Sequence, residues 1–209
     1  KTIKNHHIQL VSASTGKLYQ QIIQGAPYDL FLAADAIRPA KLKQNFSIPK
    51  LFKPFTYARG MLVLYARNGI HDKSLREILS LPIQRMALAN PLFSPYGRAS
   101  KAFLKKMQRW QTLKHKIVLG ENIGQVFHFA TLGGTDLGLI AYSQVLKKSA
   151  FVQEKILVLP LNSYPPIFQQ GIILKDKKLA KRFVSFIKSP TGQKIIKNHG
   201  YLLDFNYVN

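Results

Sequence analysis

"SASTGKLYQQIIQGAPYDLFLAADA", residues 12–36, decides how this 209-residue chain is read. Hydroxyls cluster ahead of a helical pattern from Gly16 to Gln24. A Gly-Ala-Pro turn then leads into a short apolar run, Asp29 to Ala33, of strand character. The Gly16-Lys17 pair raises the question of a phosphate-wrapping nucleotide loop. Such a loop needs G-x-x-x-x-G-K-[ST], because the first glycine lets backbone fold round the phosphates and the last hydroxyl holds magnesium. Val11 stands where that glycine is required and Leu18 where the hydroxyl is. The loop therefore does not read as a nucleotide site, and its hydroxyls need another explanation.

Outward from this stretch, short apolar runs alternate with helical patterns almost to both ends, the signature of an α/β protein with a largely parallel sheet. Strands are expected at Ile8 to Val11, Asp29 to Ala33, Gly60 to Tyr65, Met86 to Ala89, Ile117 to Leu119, Leu137 to Ala141, Ile156 to Leu159 and Gln170 to Leu174. Helices are expected near Gly16 to Gln24, Ile37 to Lys43, Ser74 to Leu79, Gly97 to Met107, Ile123 to Leu132, Tyr142 to Lys148, Leu179 to Lys188 and Pro190 to His199. The helix from Leu179 gathers Phe183, Phe186 and Ile187 on one face, which reads as a face packed on a sheet rather than one lying on a membrane. "KPFTYARGM" (53–61) and "LPLNSYPPIFQQG" (159–171) interrupt the pattern and read as crossings between two lobes. One lobe then takes residues 1–58 and 164–209, the other 59–163, with a cleft suited to closing on a ligand.

Composition narrows the chemistry. Zero cysteines exclude disulfides, thiolate metal sites and thiol catalysis, and leave the compartment open. The 31 Lys+Arg against 9 Asp+Glu give a net charge of +22, which favours a polyanion, an anionic membrane surface or a small anion. No apolar run is long enough for a membrane span, and no signal-like segment opens the chain. Neither a G-x-S-x-G elbow nor an H-E-x-x-H pair is present, and His6-His7 read as a solvated end. "KKMQRWQTLKHK" (105–116) reads as a solvated helix face and its following turn, with nucleic-acid contact a minor alternative. The expectation is no enzyme and no cofactor.

Anion binding fits better. The first turn of a helix presents unpaired N–H groups and the positive end of its dipole. Ser14 or Thr15 precedes one helix; Asn90, Ser94 and Tyr96 precede a second; Glu121 and Asn122 precede a third. Three such turns converging on one cleft would make an oxyanion site. Taken singly, each also reads as an ordinary helix cap.

Four stretches carry a family resemblance: "STGKLYQQIIQGAPYDLFLAAD" (14–35), "ANPLFSPYGRASKAFL" (89–104), "GENIGQVFHFATLGGTDLGLIAYSQV" (120–145) and "YPPIFQQGIILKDKKLAKRFVSFIKSPTGQKIIKNHGY" (164–201). In this order, and over nearly the whole chain, they resemble the periplasmic molybdate-binding proteins that feed an ABC importer. The resemblance implies a two-lobe α/β, periplasmic-binding-protein-like fold, each lobe a mostly parallel sheet flanked by helices. It implies a cleft that closes on a tetrahedral dianion, molybdate or tungstate, held through its oxygens by hydroxyls and backbone N–H groups without direct protein–metal ligands.

Carried over by position, the ligand-binding residues are Ser14 and Thr15 in the first turn, Tyr96 through its main chain or hydroxyl, Asn122, and the Ile123 backbone. A tyrosine ligand of some members falls at Ala141, so that contact is absent, and Tyr142 is not expected to replace it. Family members also open with a strand, a Ser- or Asn-bearing loop and a helix. "KTIKNHHIQLVS" matches only the end of that helix and the second strand, so lobe I reads as lacking its first strand and helix. The resemblance implies a periplasmic location with the export signal outside this chain, an ABC permease as partner, a monomer, and no nucleic acid. Competing expectations are a binding protein or sensor domain for another tetrahedral oxyanion, such as sulfate or phosphate, and a basic nucleic-acid binder.

Overall fold

In the computed structural model, which describes residues 8–45, 52–70 and 72–203, the chain alternates helix and strand in the expected manner. In order these are α1 (Thr15–Ile23), β1 (Leu30–Ala33), α2 (Ile37–Asn45), β2 (Phe55–Gly60), β3 (Leu62–Ala66), α3 (Leu75–Ser80), β4 (Met86–Ala89), α4 (Pro95–Lys106) and α5 (Trp110–Leu113). There follow β5 (Ile117–Gly120), α6 (Ile123–Thr131), β6 (Leu137–Ala141), α7 (Ala150–Gln153), β7 (Ile156–Val158), β8 (Ile167–Ile173), α8 (Lys178–Lys188) and α9 (Pro190–Asn198). His6 and His7 lie outside the described residues.

Two sheets divide the strands: β1-β8-β2 in one lobe and β5-β4-β6-β3-β7 in the other. The larger sheet is covered on both faces. Leu62, Leu64 and Ala66 of β3 join one apolar cluster with Met86, Leu88, Phe103 and Leu104, while Val63 and Tyr65 join another with Val126 and Ala130 of α6. That is the period-two alternation of a strand buried on both sides. Leu64, Leu88 and Leu139 are fully buried, each worth about 2 kcal/mol of transfer free energy. In the smaller sheet, Phe31, Ala33 and Ile172 pack under α1 and α2, and Ile173 packs under α8 through Ala180 and Val184.

The α/β two-lobe class holds, but the strand directions differ from the mostly parallel expectation. β4 runs parallel to β5 and β6, whereas β3 is antiparallel to β6 and β7, and β8 is antiparallel to both β1 and β2. Parallel pairs occur where a helix returns the chain to the same end of the sheet. The strands that carry the chain between lobes have no such helix. β2 ends at Gly60 and β3 begins at Leu62 in the other sheet, so the first crossing is a single residue, Met61.

Three local expectations are also corrected. Residues 53–61, read as a bare crossing, are mostly strand β2. Ile8 to Val11, read as a strand, pairs with none among the described residues, and Leu10 stands 84% exposed. Without a neighbouring ladder for its N–H and C=O groups, an apolar alternation is no strand. The helix expected at 142–148 is one 3-10 turn, Tyr142–Gln144, whose start is capped by the Gln144 side chain accepting from the Ala141 N–H at 2.9 Å.

Candidate functional site

Ser14 is the N-cap of α1 and has the extended backbone of one, yet its hydroxyl makes no capping bond. The side chain is 7% exposed, and Oγ has no hydrogen-bond partner among the described residues. A buried hydroxyl without a partner costs about 1–3 kcal/mol, so this one needs a reason. Beside it, Thr15 Oγ1 accepts from the Ala34 N–H at 3.1 Å, which pins the start of α1 to the end of β1. A hydroxyl that accepts one bond still has a proton to donate.

The same turn reaches across to the other lobe. The Gly16 N–H donates to the Phe93 carbonyl at 3.0 Å, and a Cβ at Gly16 would meet that carbonyl and Phe93 Cα at 3.0 Å. Lys17 Nζ pairs with Glu121 at 2.6 Å, on the solvent side. Phe93 lies just before α4 and Glu121 just before α6, so the first turn of α1 is brought against the approaches to two further helix N-termini.

Each of those N-termini is capped from within. Ser94 Oγ accepts from the Gly97 N–H at 3.3 Å at the start of α4. Asn122 Oδ1 accepts from the Gln125 N–H at 2.9 Å at the start of α6, while the Glu121 N–H donates to Gln125 Oε1 at 2.6 Å. The Asn122 carboxamide is thus engaged as a cap. Ile123, the first residue of α6, is steadied by Gln144, whose Nε2 donates to its carbonyl at 3.0 Å.

Tyr96 sits in the first turn of α4, and its hydroxyl meets Gln169 of β8. It is 4% exposed and accepts from Gln169 Nε2 of β8 at 3.2 Å. Burial, with Tyr201, Tyr57 and Tyr164 nearby, holds this phenol well above its ordinary pKa, so it stays neutral. Because it accepts from Gln169, this hydroxyl still carries a proton to donate, and the Tyr96 main chain stands in the first turn of α4. Ala141 is buried at the end of β6, and Tyr142 packs in the apolar cluster that also takes Ile123.

The structure adds residues that the sequence reading missed. Asp35, just after β1, is 6% exposed and pairs with Arg38 of α2 at 2.5 Å and with Arg98 of α4 at 2.6 Å, the latter across the cleft. The Arg38 backbone N–H also donates to Asp35 Oδ1 at 3.0 Å. The "AAD" after an apolar run was the available signal, but a lone carboxylate in sequence names no partner. A cavity of about 300 Å³ lies between the lobes, lined by Ala34, Asp35, Pro95, Arg98, Pro166 and Phe168 among others. It adjoins the helix starts through Ala34 and Pro95, and none of the five expected residues lines it. Among the described residues, no group of three or more His, Asp or Glu could hold a metal ion.

The arrangement gathers hydroxyls and helix-start N–H groups, with the cations at hand each facing a carboxylate. Helix-start N–H groups and hydroxyls of this kind are able to hold an anion by fixed neutral dipoles. Comparison with known proteins agrees with that chemistry. At 34% identity the chain matches the Molybdate-binding protein ModA of Rhodobacter capsulatus, over 95% of this chain and 79% of the relative. It is also 34% identical to the Molybdate-binding protein ModA of Azotobacter vinelandii, over 94% and 79%. The solved periplasmic molybdate-binding protein of Azotobacter vinelandii superposes with a TM-score of 0.87 at 33% identity, covering 96% of this chain and 89% of that one. Residues 1–202 match the family model for bacterial extracellular solute-binding proteins, and the chain belongs to that family.

Proposed function

We propose that the chain captures molybdate in the cleft between its lobes and delivers it to a membrane-embedded ABC permease. The observation that carries this reading is the buried Ser14 hydroxyl, without a partner among the described residues, in a turn pressed against the approaches to α4 and α6. A tetrahedral dianion there takes hydrogen bonds from the Ser14 and Thr15 hydroxyls and from first-turn N–H groups at Thr15, Tyr96 and Ile123. Asn122 contributes by capping α6 and so aiming the Ile123 N–H. Each bond to a charged acceptor is worth about 1.5–3 kcal/mol, enough in sum for tight capture. Lys17, Arg38 and Arg98 are already paired with carboxylates. Release to a permease then breaks hydrogen bonds but no ion pair.

Relatives that carry molybdate in their names support that oxyanion over sulfate or phosphate. Tungstate has the same charge and nearly the same size, and binds in the same way. The protein performs no covalent step, needs no cofactor, does not bind nucleic acid, works as a monomer and acts in the periplasm. The closing bodies are those expected, 1–58 with 164–209 and 59–163, except that β2 carries the first body on to Gly60 and puts the boundary at Met61.

Titration calorimetry and thermal unfolding with molybdate, tungstate, sulfate and phosphate test this. At ligand 1,000-fold above its Kd, stabilisation reaches about 4 kcal/mol. The expected order is molybdate and tungstate well above sulfate and phosphate. A protein whose melting temperature no oxyanion moves sinks the reading.

A further inference from the structure

The last two helices carry a surface that oxyanion capture does not use. Between Lys175 and Lys197 the chain has eight cations and a single carboxylate, Asp176. Ser189 both ends α8 and caps α9, accepting from the Gly192 N–H at 3.2 Å, so the two helices form one hairpin. The apolar side of α8 is taken up by the smaller sheet, through Ala180 and Val184 against Phe52 and Ile173. The opposite side is open. Lys178, Arg182 and Phe186, at i, i+4 and i+8, run along it, and Lys194 and Lys197 of α9 are exposed beyond the turn. Phe186, expected on the packed face with Phe183 and Ile187, is instead 41% exposed, because the buried stripe of α8 runs through Ala180, Val184 and Ile187; Ile195 of α9 is 45% exposed.

The other basic stretch, around α4 and α5, is unlike this one. There Lys101 lies over Trp110, Lys106 bonds the Asn162 carbonyl, Arg109 bonds Ser80, and Lys116 bonds the Ile83 carbonyl. Those four cations are engaged with the fold, while Lys105 and Lys114 of the same stretch are exposed and serve as the comparison for net charge. On the hairpin, Asp176 neutralises Lys181 at 2.5 Å, and Lys188 lies over Phe55 at its flank, while the outward cations meet no carboxylate among the described residues.

We propose that the outward face of the α8–α9 hairpin is a docking surface for a bilayer rich in anionic phospholipid. Charge complementarity is the first reason, since an array of unneutralised cations is drawn to a surface of lipid phosphates. The side chains are the second. Seven of the eight cations are lysines, whose long stems lie along apolar surface while the ammonium reaches the headgroups. Phe186 and Ile195 stand where interfacial helices place residues that enter the acyl boundary. No residue of α8 or α9 lines the cavity between the lobes, so docking uses none of its lining. It is independent of which oxyanion the cleft takes.

Cosedimentation with phosphatidylcholine vesicles, and with vesicles mixing phosphatidylcholine and phosphatidylglycerol, tests the proposal on the full chain. Binding is expected only to the anionic vesicles, with release at about 1 M salt, where the Debye length is about 3 Å. A triple variant, Lys178→Glu, Arg182→Glu and Lys194→Glu, should bind at least tenfold more weakly. A control of equal charge change, Lys105→Glu, Lys114→Glu and Lys147→Glu, should stay within about threefold of the parent, a spread below 1 kcal/mol. Thermal melts of both variants establish that they fold. Equal loss in the two triples would reduce the effect to net charge and overturn the proposal. So would failure to bind anionic vesicles, or displacement from them by duplex DNA or polyglutamate at matched charge.

Discussion

Gln169 donates from Nε2 to the Tyr96 hydroxyl at 3.2 Å, joining the strand that returns from the larger lobe to the first turn of α4. Its Oε1 lies 3.1 Å from the Tyr57 hydroxyl, which also reaches the Ala33 carbonyl at 3.2 Å. One carboxamide on β8 thus ties β2, the end of β1 and the start of α4 together, and fixes where the Tyr96 main chain sits. Gln169→Leu keeps the bulk and leaves the two phenols without this partner. The expected cost is about 2 kcal/mol of stability, read by urea unfolding. Molybdate affinity should fall as well, although Gln169 is no ligand contact. Unchanged affinity would show that Tyr96 is held without it.

Gly60 supports the same contact from beneath. A Cβ there would lie 2.2 Å from the Tyr96 hydroxyl and 2.9 Å from its Cζ, both impossibly close. Gly60→Ala must therefore push the Tyr96 ring, and with it the first turn of α4, out of place. Affinity is expected to fall more than tenfold, about 1.4 kcal/mol, with the far-ultraviolet circular dichroism retained. Adding Tyr96→Phe removes the nearer clashing atom and should recover part of the loss. A double-mutant cycle with strictly additive effects would count against the contact.

Ser14→Ala separates a ligand contact from a structural cap. Because Oγ has no partner among the described residues, its removal should leave the ligand-free melting temperature unchanged or slightly raised. Molybdate affinity should drop about 10- to 100-fold, the worth of one hydrogen bond to a charged acceptor. Thr15→Val should act on both, since Thr15 Oγ1 also accepts from Ala34. A Ser14→Ala protein that loses stability but not affinity would reduce Ser14 to a cap.

These residues show what the sequence could disclose. Strand and helix order was legible because β3, β4 and β6 are buried on both faces and α4, α6 and α8 are amphipathic, each a local pattern. The hydroxyl turn at Ser14 and the helix start at Ile123 were legible for the same reason. Strand direction was not, because it depends on whether a helix intervenes, and at Met61 a single residue separates strands of different sheets. Gln169, Tyr57 and Asp35 were invisible. Their partners are 73, 112 and 63 positions away in Tyr96, Gln169 and Arg98, and no local period encodes such pairs.

Alkaline pH should expose the buried phenols. Burial first, and then neighbouring tyrosines, raises Tyr57 and Tyr96 above the ordinary value of 10.0. Below pH 10 folded and unfolded chains both keep these protons, and the full stability is present. Above it the unfolded chain releases protons that the folded one retains, so stability falls as pH rises from 10 towards the folded values. Melting temperature against pH is expected to bend downward near 10. The Tyr57→Phe and Tyr96→Phe pair should flatten that bend. A bend unchanged in the pair would assign it to other groups.

Asp35 joins the lobes by charge where Gln169 joins them by neutral bonds. Its carboxylate accepts from Arg38 within its own lobe and from Arg98 across the cleft, and Arg38 extends further to the Leu92 carbonyl at 3.3 Å. Asp35→Asn removes the negative charge that faces two guanidinium groups while keeping one acceptor oxygen, and should cost about 3 kcal/mol, the scale for breaking a buried pair from one side. Arg98→Ala removes only the cross-lobe arm, whose side chain is 35% exposed, so its effect on stability should be smaller. Its effect on shape should be larger. With one fewer tie between the bodies, the ligand-free protein should populate a more open cleft, seen as a larger radius of gyration by X-ray scattering and a weaker apparent affinity. Saturating molybdate should return the radius to that of the parent. If the ligand-free Arg98→Ala radius already equals the parent's, then Gly16 on Phe93 and Lys17 on Glu121 suffice to hold the lobes, and Asp35 is a folding element of its own lobe.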